Sequence, residues 1–289
     1  MKKKTYTITS VLCLLLLCVN ASLGQDKEQP IRADWLGADV ASIERLLPQL
    51  KHSQPLTLEK LKTIFGHDPR TTDLGFGGRT FAFSKASGYT HLRVNGFAFN
   101  DTIGRYEISL DCSSWSKVSS VLTDAWKRSS DLEFTEWKYG LSHEREFPDV
   151  IAGFKTAVST QLGELQPVTA PQHLKDAYEE LVSLRNNSVI GSGPCGFAGT
   201  TPQGKRAIDT LIGANRLDLI GNILKGYSPG GRMYAALALI AMQRKGTELP
   251  PDLLQALDVI RNMDIHLETC SGCIITPKTP KLIIADWPF

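Results

Sequence analysis

The spacing of apolar residues changes several times along the chain, and each change predicts a different element. Val40, Ile43, Leu46 and Leu47 repeat every three or four residues, which predicts a helix that stops at Pro48. A second helix is expected from Thr57, a good N-cap residue, to Gly66, a typical C-cap residue. After Gly78 the period becomes two. That alternation predicts three antiparallel strands, with the apolar positions Phe81, Phe83, Leu92, Val94, Tyr106, Ile108, Leu110 and Cys112.

The middle of the chain adds helices to this sheet. Apolar residues at helical spacing from Val118 to Trp126 predict a helix that covers one sheet face. A further strand is possible over 134–139, and another helix should start after Pro148. The expected fold of residues 25–165 is therefore an α+β domain with an antiparallel sheet of three to four strands. Two prolines in 166–171 mark the predicted domain boundary.

Residues 170–289 predict a small all-α domain that contains an internal repeat. Thr201-Pro202-Gln203-Gly204-Lys205 recurs 27 residues later as Ser228-Pro229-Gly230-Gly231-Arg232. In each copy a hydroxyl residue at the N-cap and proline at the first helical position would start a helix. Stacked helix pairs of this kind are typical of a short HEAT-like array. Ser271-Gly272 is expected to be the turn of a closing β-hairpin.

The N-terminus predicts export. Lys2, Lys3 and Lys4 precede the apolar run 11–19 and then a small-residue stretch that ends at Gly24. This order is typical of a signal peptide over 1–24, cleaved near Gly24, whereas a spanning helix needs about 18 apolar residues or more. A lipid anchor at Cys18 is the alternative. Without 1–24 the 32 basic residues fall to 29 against 30 acidic residues. We therefore expect no nucleic-acid partner, and no later segment predicts a transmembrane helix.

The cysteines of the mature chain indicate a structural role. In an oxidising compartment, Cys195 is expected to form a disulfide with Cys273 or with Cys270. Two alternatives stay open: a redox-active Cys270-x-x-Cys273 pair, and a zinc site made of Cys195, His266 and those two cysteines. Cys112 ends an apolar strand face and should be a buried thiol.

No catalytic, cofactor-binding or metal-binding residue is assigned from the sequence. Residues 199–205 match a phosphate-binding loop, but Arg206 stands where that loop needs Ser or Thr. His67 and His143 each precede an acidic residue, yet sequence neighbours seldom point at one atom. We therefore expect no cofactor.

Two segments resemble known protein groups. Thr57-Leu58-Glu59-Lys60-Leu61, followed by Phe65-Gly66 and Pro69, resembles the start of the small outer-membrane-assembly lipoprotein domain, over about 55–112. That resemblance implies two helices on a three-stranded sheet that acts through protein contacts. Ser228-Pro229 to Leu237, with Ser271-Gly272-Cys273, is similar to the ends of uncharacterised exported bacterial proteins with a helical C-terminal region.

The sequence therefore predicts a broad class of protein rather than a specific activity. The chain is predicted to be a secreted or periplasmic binding or structural module whose partner is another envelope or extracellular protein. A secreted hydrolase with a His/carboxylate site is the first alternative. A periplasmic inhibitor or immunity protein is the second.

Overall fold

The computed structural model describes residues 31–288 except 113, 186–188, 197–198 and 273. The predicted signal peptide 1–24, the candidate lipid attachment site Cys18 and the hairpin residue Cys273 lie outside the described residues. Within the described ranges there are ten helices and eight strands. The helices are α1 Ala33–Leu50, α2 Leu58–Phe65, α3 Trp115–Ser129, α4 Pro148–Leu162, α5 Gln172–Val182, α6 Gln203–Gly213, α7 Leu217–Leu224, α8 Pro229–Arg244, α9 Pro251–Arg261 and α10 Pro280–Asp286.

The strands form one large sheet and one hairpin. They are β1 Arg70–Gly75, β2 Gly78–Ser87, β3 Thr90–Phe99, β4 Thr102–Cys112, β5 Thr135–Trp137, β6 Gly140–Glu146, β7 Leu267–Ser271 and β8 Ile274–Lys278. The large sheet has the order β1-β2-β3-β4-β6-β5, and all its pairs are antiparallel.

The prediction of three to four strands is wrong, because this sheet has six. Strand β1 was missed because three of its six residues are exposed and the strand shows no apolar alternation. Strand β6 carries the polar run from Ser142 to Glu146, and it is held by backbone pairing with β4 rather than by an apolar face. Hydrophobic periodicity detects only strands with a buried side.

One face of the sheet is covered by α1, α2 and α3. The core between these helices and the sheet is formed by residues from the range 43–147 and includes Phe83, Val94, Ile108 and Trp126. Helix α1 was predicted to stop at Pro48. It instead continues to Leu50. The proline removes one backbone hydrogen bond, and the burial of Leu50, which is 1% exposed, offsets that loss.

A second hydrophobic cluster joins the helical region to the other sheet face. It contains Leu74 and Phe97 from the sheet, Phe154 from α4, and buried residues of α5 to α10. The rings of Phe97 and Phe154 pack at a tilt of 56°, with their centroids 5.0 Å apart. Thus α4 links the sheet to the helices, while the predicted boundary at 166–171 and the HEAT-like character of the helices stay predictions.

The two repeat copies differ in how their helices begin. Ser228 caps α8 and accepts a hydrogen bond from the Gly231 backbone N–H, with Pro229 in the first turn, as predicted. The prediction for the first copy is wrong in this detail. Helix α6 begins at Gln203, Pro202 occupies its N-cap, and no side chain caps it.

The C-terminal β-hairpin is confirmed, since β7 and β8 pair from Leu267 to Lys278. Cys195 and Cys270 lie at disulfide distance, with 5.7 Å between their Cα atoms, and this pair is compatible with a disulfide. Cys112 is buried and free, as expected. In the part of the chain described, no helix is both long and apolar enough to span a membrane.

Candidate functional site

His67 and His143, the two histidines that precede an acidic residue, do not form the acid/base pair that a hydrolase site of the predicted kind requires. The two ring nitrogens of His67 contact the backbone carbonyls of Asp68 and Ser84, at 2.9 and 3.1 Å. His143 Nδ1 contacts the Glu133 carbonyl at 2.7 Å, and its Nε2 is buried without a partner. A general base must reach the proton it abstracts, with a carboxylate or a second histidine to orient it. These rings instead fasten loops to strands.

The phosphate-loop candidate is a helix start on the surface. Lys205 forms an ion pair with Asp209 one turn later, at 2.5 Å, and Arg206 donates to the Thr201 carbonyl at 2.7 Å. Residue 200 makes only an isolated bridge with Cys195, whereas a phosphate loop follows a full strand. The two basic residues therefore have partners within the protein.

The zinc alternative is less favoured, because two of its four candidate ligands, Cys195 and Cys270, lie at disulfide distance from each other. Among the described residues no group of three or more His, Cys, Asp or Glu side chains could hold a metal ion. Burial raises the pKa of the Cys112 thiol, which disfavours its thiolate form. Burial also raises the pKa of Tyr178 and of Tyr234 to about 12, so both phenols are structural hydrogen-bonding groups.

Four aromatic residues share one end of the large sheet, which we call the aromatic end: Trp35, Tyr89, Trp137 and Tyr139. Trp35, Trp137 and Tyr139 are 41%, 42% and 46% exposed. Residue 89 precedes β3, residue 139 precedes β6, and both strands pair with the C-terminal part of β4. Two strand spacings, about 10 Å, therefore separate the two aromatic pairs across the aromatic end.

Each aromatic pair carries a cation. The rings of Trp35 and Tyr89 are 5.2 Å apart, and the Arg32 guanidinium lies 4.6 Å from the centre of Trp35. The rings of Trp137 and Tyr139 are 5.5 Å apart, and Lys138 Nζ lies 4.9 Å from the centre of Tyr139. Exposed Trp, Tyr and Arg are the residue types that carry most of the binding energy at protein interfaces.

A buried carboxylate fixes the first of these pairs. Asp39 of α1 is fully buried and accepts hydrogen bonds from Thr90 Oγ1 at 2.7 Å and from the Tyr89 backbone N–H at 2.9 Å. Gly88 adopts φ 46°, and a Cβ there would lie 2.2 Å from the Trp35 carbonyl oxygen. This turn therefore needs glycine, and it holds Trp35 and Tyr89 in place before any partner arrives.

The second pair is fixed through the backbone and through Trp115. The Cys112 N–H donates to the Tyr139 carbonyl at 2.8 Å. Trp115 Nε1 of α3 donates to Glu136 of β5 at 3.1 Å. A rigid aromatic surface loses little conformational entropy on binding, which favours affinity.

Sequence reasoning missed this surface because its members lie in three separate segments. Trp35 begins a helix, Tyr89 lies in one turn, and Trp137 and Tyr139 flank another. Only the pairing of β6 with β4 brings the two turns to the same end of the sheet. The available signal was an aromatic residue in each of two strand-connecting turns, where polar residues are usual.

The helical region has its own cavity of about 470 Å³, between the 166–169 linker, α7 and the start of α9. Its polar groups are bound to each other. Asn222 bonds to Gln166 and to the Tyr178 hydroxyl, and Lys225 pairs with Asp252 at 2.9 Å. This arrangement fixes the linker.

No family model, curated protein or solved structure matches the chain. The resemblances to exported helical proteins and to the lipoprotein domain therefore stay predictions.

Proposed function

We propose that the protein is an exported binding module of the cell envelope, and that it holds another envelope or extracellular protein at its aromatic end. The observation that carries this proposal is the presence of two aromatic pairs at one end of the sheet. Each pair is held in place by the fold, and each has a cation over one of its rings. Burying such rings against a partner would stabilise a complex strongly, since each aromatic side chain covers a large apolar area. A periplasmic inhibitor would use the same surface, with an enzyme or toxin as its partner.

Export is the second part of the proposal. The Cys195–Cys270 pair supports it, because disulfides persist in oxidising compartments and are rare in the cytosol. Protein taken from the envelope and from the medium should be digested without reduction. We expect a linked peptide pair that contains Cys195 and Cys270, with Cys112 as a free thiol. Four free thiols with bound zinc would contradict this part.

The hydrolase alternative is less favoured, because His67 and His143 contact backbone carbonyls rather than carboxylates. Hydrolysis would need a base positioned on a nucleophile or on a water molecule.

Site-specific photo-crosslinking in the cell that makes the protein tests the binding proposal. A photoreactive phenylalanine replaces Trp137 or Tyr139 in two variants. The matched control carries it at Leu254, which is 41% exposed on the distant helix α9. We expect one discrete adduct from both aromatic positions and none from position 254. An adduct from 254 alone, or the same adduct from all three positions, would overturn the proposal.

The captured partner allows a quantitative test. Trp137→Ala should weaken its binding at least about 30-fold, which corresponds to the 2 kcal/mol of an interface hot spot. Leu254→Ala should leave the affinity unchanged. Equal effects of the two variants, or no effect of Trp137→Ala, would exclude the aromatic end as the binding surface.

A further inference from the structure

A second cleft lies at the opposite end of the sheet, where the second hydrophobic cluster joins the sheet to the helices. We call it the junction cleft; its volume is about 310 Å³. Its walls come from β3, β4 and β6, from α4, and from the end of α5. The residues that matter for its chemistry are Phe97, Arg105, Glu146, Ile151, Lys155, Arg185 and Tyr227. Clefts between packed units are common places for small ligands.

Arg105 lies on the face of β4 opposite to the first core, next to an irregularity in that strand. The β3–β4 register shifts between Phe97 and Ala98, so that Gly104 is an additional residue on β4. As a result Ile103 and Tyr106 both belong to the first core although they are three positions apart, and Arg105 lies opposite Phe97 on the other face. β-Bulges are common next to functional sites.

The Arg105 guanidinium is poorly satisfied for a group so buried. Its side chain is 19% exposed, and its ion-pair partner, Glu144, is 3.7 Å away. Its side chain makes no hydrogen bond to another residue of the described chain. Burial lowers the pKa of Arg105, and repulsion from Arg185 contributes to that effect. Five N–H donors in a partly dry cleft favour an incoming oxygen acceptor.

The surrounding charges favour a ligand with one negative charge. Arg185 is already paired with Glu144 and Glu146, at 2.8 Å each. Lys155 Nζ lies 5.4 Å from the centre of the Tyr227 ring, and within the described ranges it makes no ion pair. The cations Arg105, Arg185 and Lys155 are accompanied by Glu144 and Glu146, and Glu107 also lies near enough to act on Arg105. A dianion would meet stronger repulsion from these glutamates than a monoanion, which can still accept from the Arg105 donors.

The remaining walls are apolar. Phe97 is 1% exposed, and Ile151, Val182, Leu184 and Tyr227 complete the lining. We propose that the junction cleft binds a small organic monocarboxylate, with its carboxylate on the Arg105 guanidinium and an aromatic or aliphatic body against Phe97 and Ile151. Arginine and a carboxylate form two parallel hydrogen bonds, and this bidentate contact would fix the orientation of the ligand in the cleft.

Titration of the purified protein with three related probes tests the proposal. Phenylacetate has the required charge and body, phenylacetamide keeps the shape without the charge, and phenethylamine reverses the charge. Isothermal calorimetry and NMR shift mapping should show saturable binding of phenylacetate. We expect at least tenfold weaker binding of phenylacetamide and no binding of phenethylamine. Equal affinity for the acid and the amide would overturn the proposal, as would no saturable binding of phenylacetate at millimolar concentration.

Two variants and a control assign the binding to this cleft. Arg105→Gln should lower the affinity for phenylacetate at least tenfold. Arg93→Gln is the matched control, because Arg93 is an arginine of the same sheet that pairs with Asp111 outside the cleft. Ile151→Trp should fill the cleft and abolish binding while Arg105 stays in place, which decides the matter if Arg105→Gln does not fold. Unchanged binding by a folded Arg105→Gln or Ile151→Trp protein would contradict the assignment.

Discussion

The two copies of the repeated segment have nearly the same sequence pattern and opposite surroundings. In the first copy Lys205 reaches the surface and pairs with Asp209 on its own helix. In the second copy the corresponding residue, Arg232, is 1% exposed and crosses to the sheet. It donates to the carbonyls of Leu74 and Gly226 and lies 5.0 Å from the centre of the Phe76 ring. A local pattern can thus start a helix, while tertiary packing decides what its polar residues do.

The two copies are also held in the fold by different interactions. The first is preceded by Thr200, whose carbonyl accepts from the Cys195 N–H at 2.9 Å, and Cys195 is paired with Cys270. The second has no cysteine and is held by burial. Burial lowers the pKa of Arg232 to about 9, and its Nε is buried without a partner. The carbonyls and the Phe76 ring compensate part of the cost of burying this cation.

The largest effect is expected from removing the disulfide of the first copy. The double variant Cys195→Ser, Cys270→Ser should lose about 4 kcal/mol of unfolding free energy, because the pair closes a loop with a sequence separation of 75. Urea unfolding of the variant and of the oxidised wild type measures this loss. Hydrogen exchange should accelerate around 190–196 and remain slow around 228–232. Equal acceleration in both segments would show that the copies are not fastened separately.

Gly231→Ala should destabilise the second copy by about 3 kcal/mol. A Cβ at this position would lie 1.7 Å from the Leu181 carbonyl oxygen, so the backbones of α5 and α8 would have to separate. Thermal and urea unfolding check the loss. The control is Gly213→Ala at the end of α6, where no atom lies within 4 Å, and it should be neutral or slightly stabilising. Similar losses for both variants would argue against tight packing at Gly231.

Arg232→Met should cost about 2 kcal/mol, since it leaves the Leu74 and Gly226 carbonyls without their donor while removing a buried charge. Lys205→Met is the comparison on the first copy and should change stability by less than about 0.5 kcal/mol, as for an exposed ion pair. Both values come from urea unfolding. If Lys205→Met were the more damaging of the two, the contrast between the copies would be wrong.

The smallest effect concerns the helix starts. Ser228→Ala removes the side-chain cap of α8 and should cost about 1 kcal/mol. Thr201→Ala should cost close to nothing, because Thr201 does not cap α6. Paired urea melts resolve the difference, and equal losses would mean that Thr201 caps its helix in solution.

Prediction from sequence succeeded where a single local cause decides the structure. Thr57 and Gly66 bound α2 as expected, because capping depends on a few neighbouring residues. The strands with a buried side were found from their alternation. By contrast, β1 and β6 carry mostly polar residues, and their place is set by pairing with β2 and β4.

The candidate surfaces were harder to predict than the elements. The aromatic end depends on which strands are neighbours, and that order is not encoded in any one segment. Arg105 is an ordinary polar position of an alternating strand, and only the packing of α4 and of residues 182–185 against the sheet places it in a cleft. The sequence left two candidate partners for Cys195, and one of them, Cys270, lies at disulfide distance from it.

Hydrogen–deuterium exchange of the protein, alone and with the crosslinked partner purified, measures most directly where that partner binds. We expect slower exchange of backbone amides in 86–91 and 136–140, the two turns of the aromatic end, with α6 to α9 unchanged. Protection confined to α6–α9, with both turns unaffected, would contradict binding at the aromatic end.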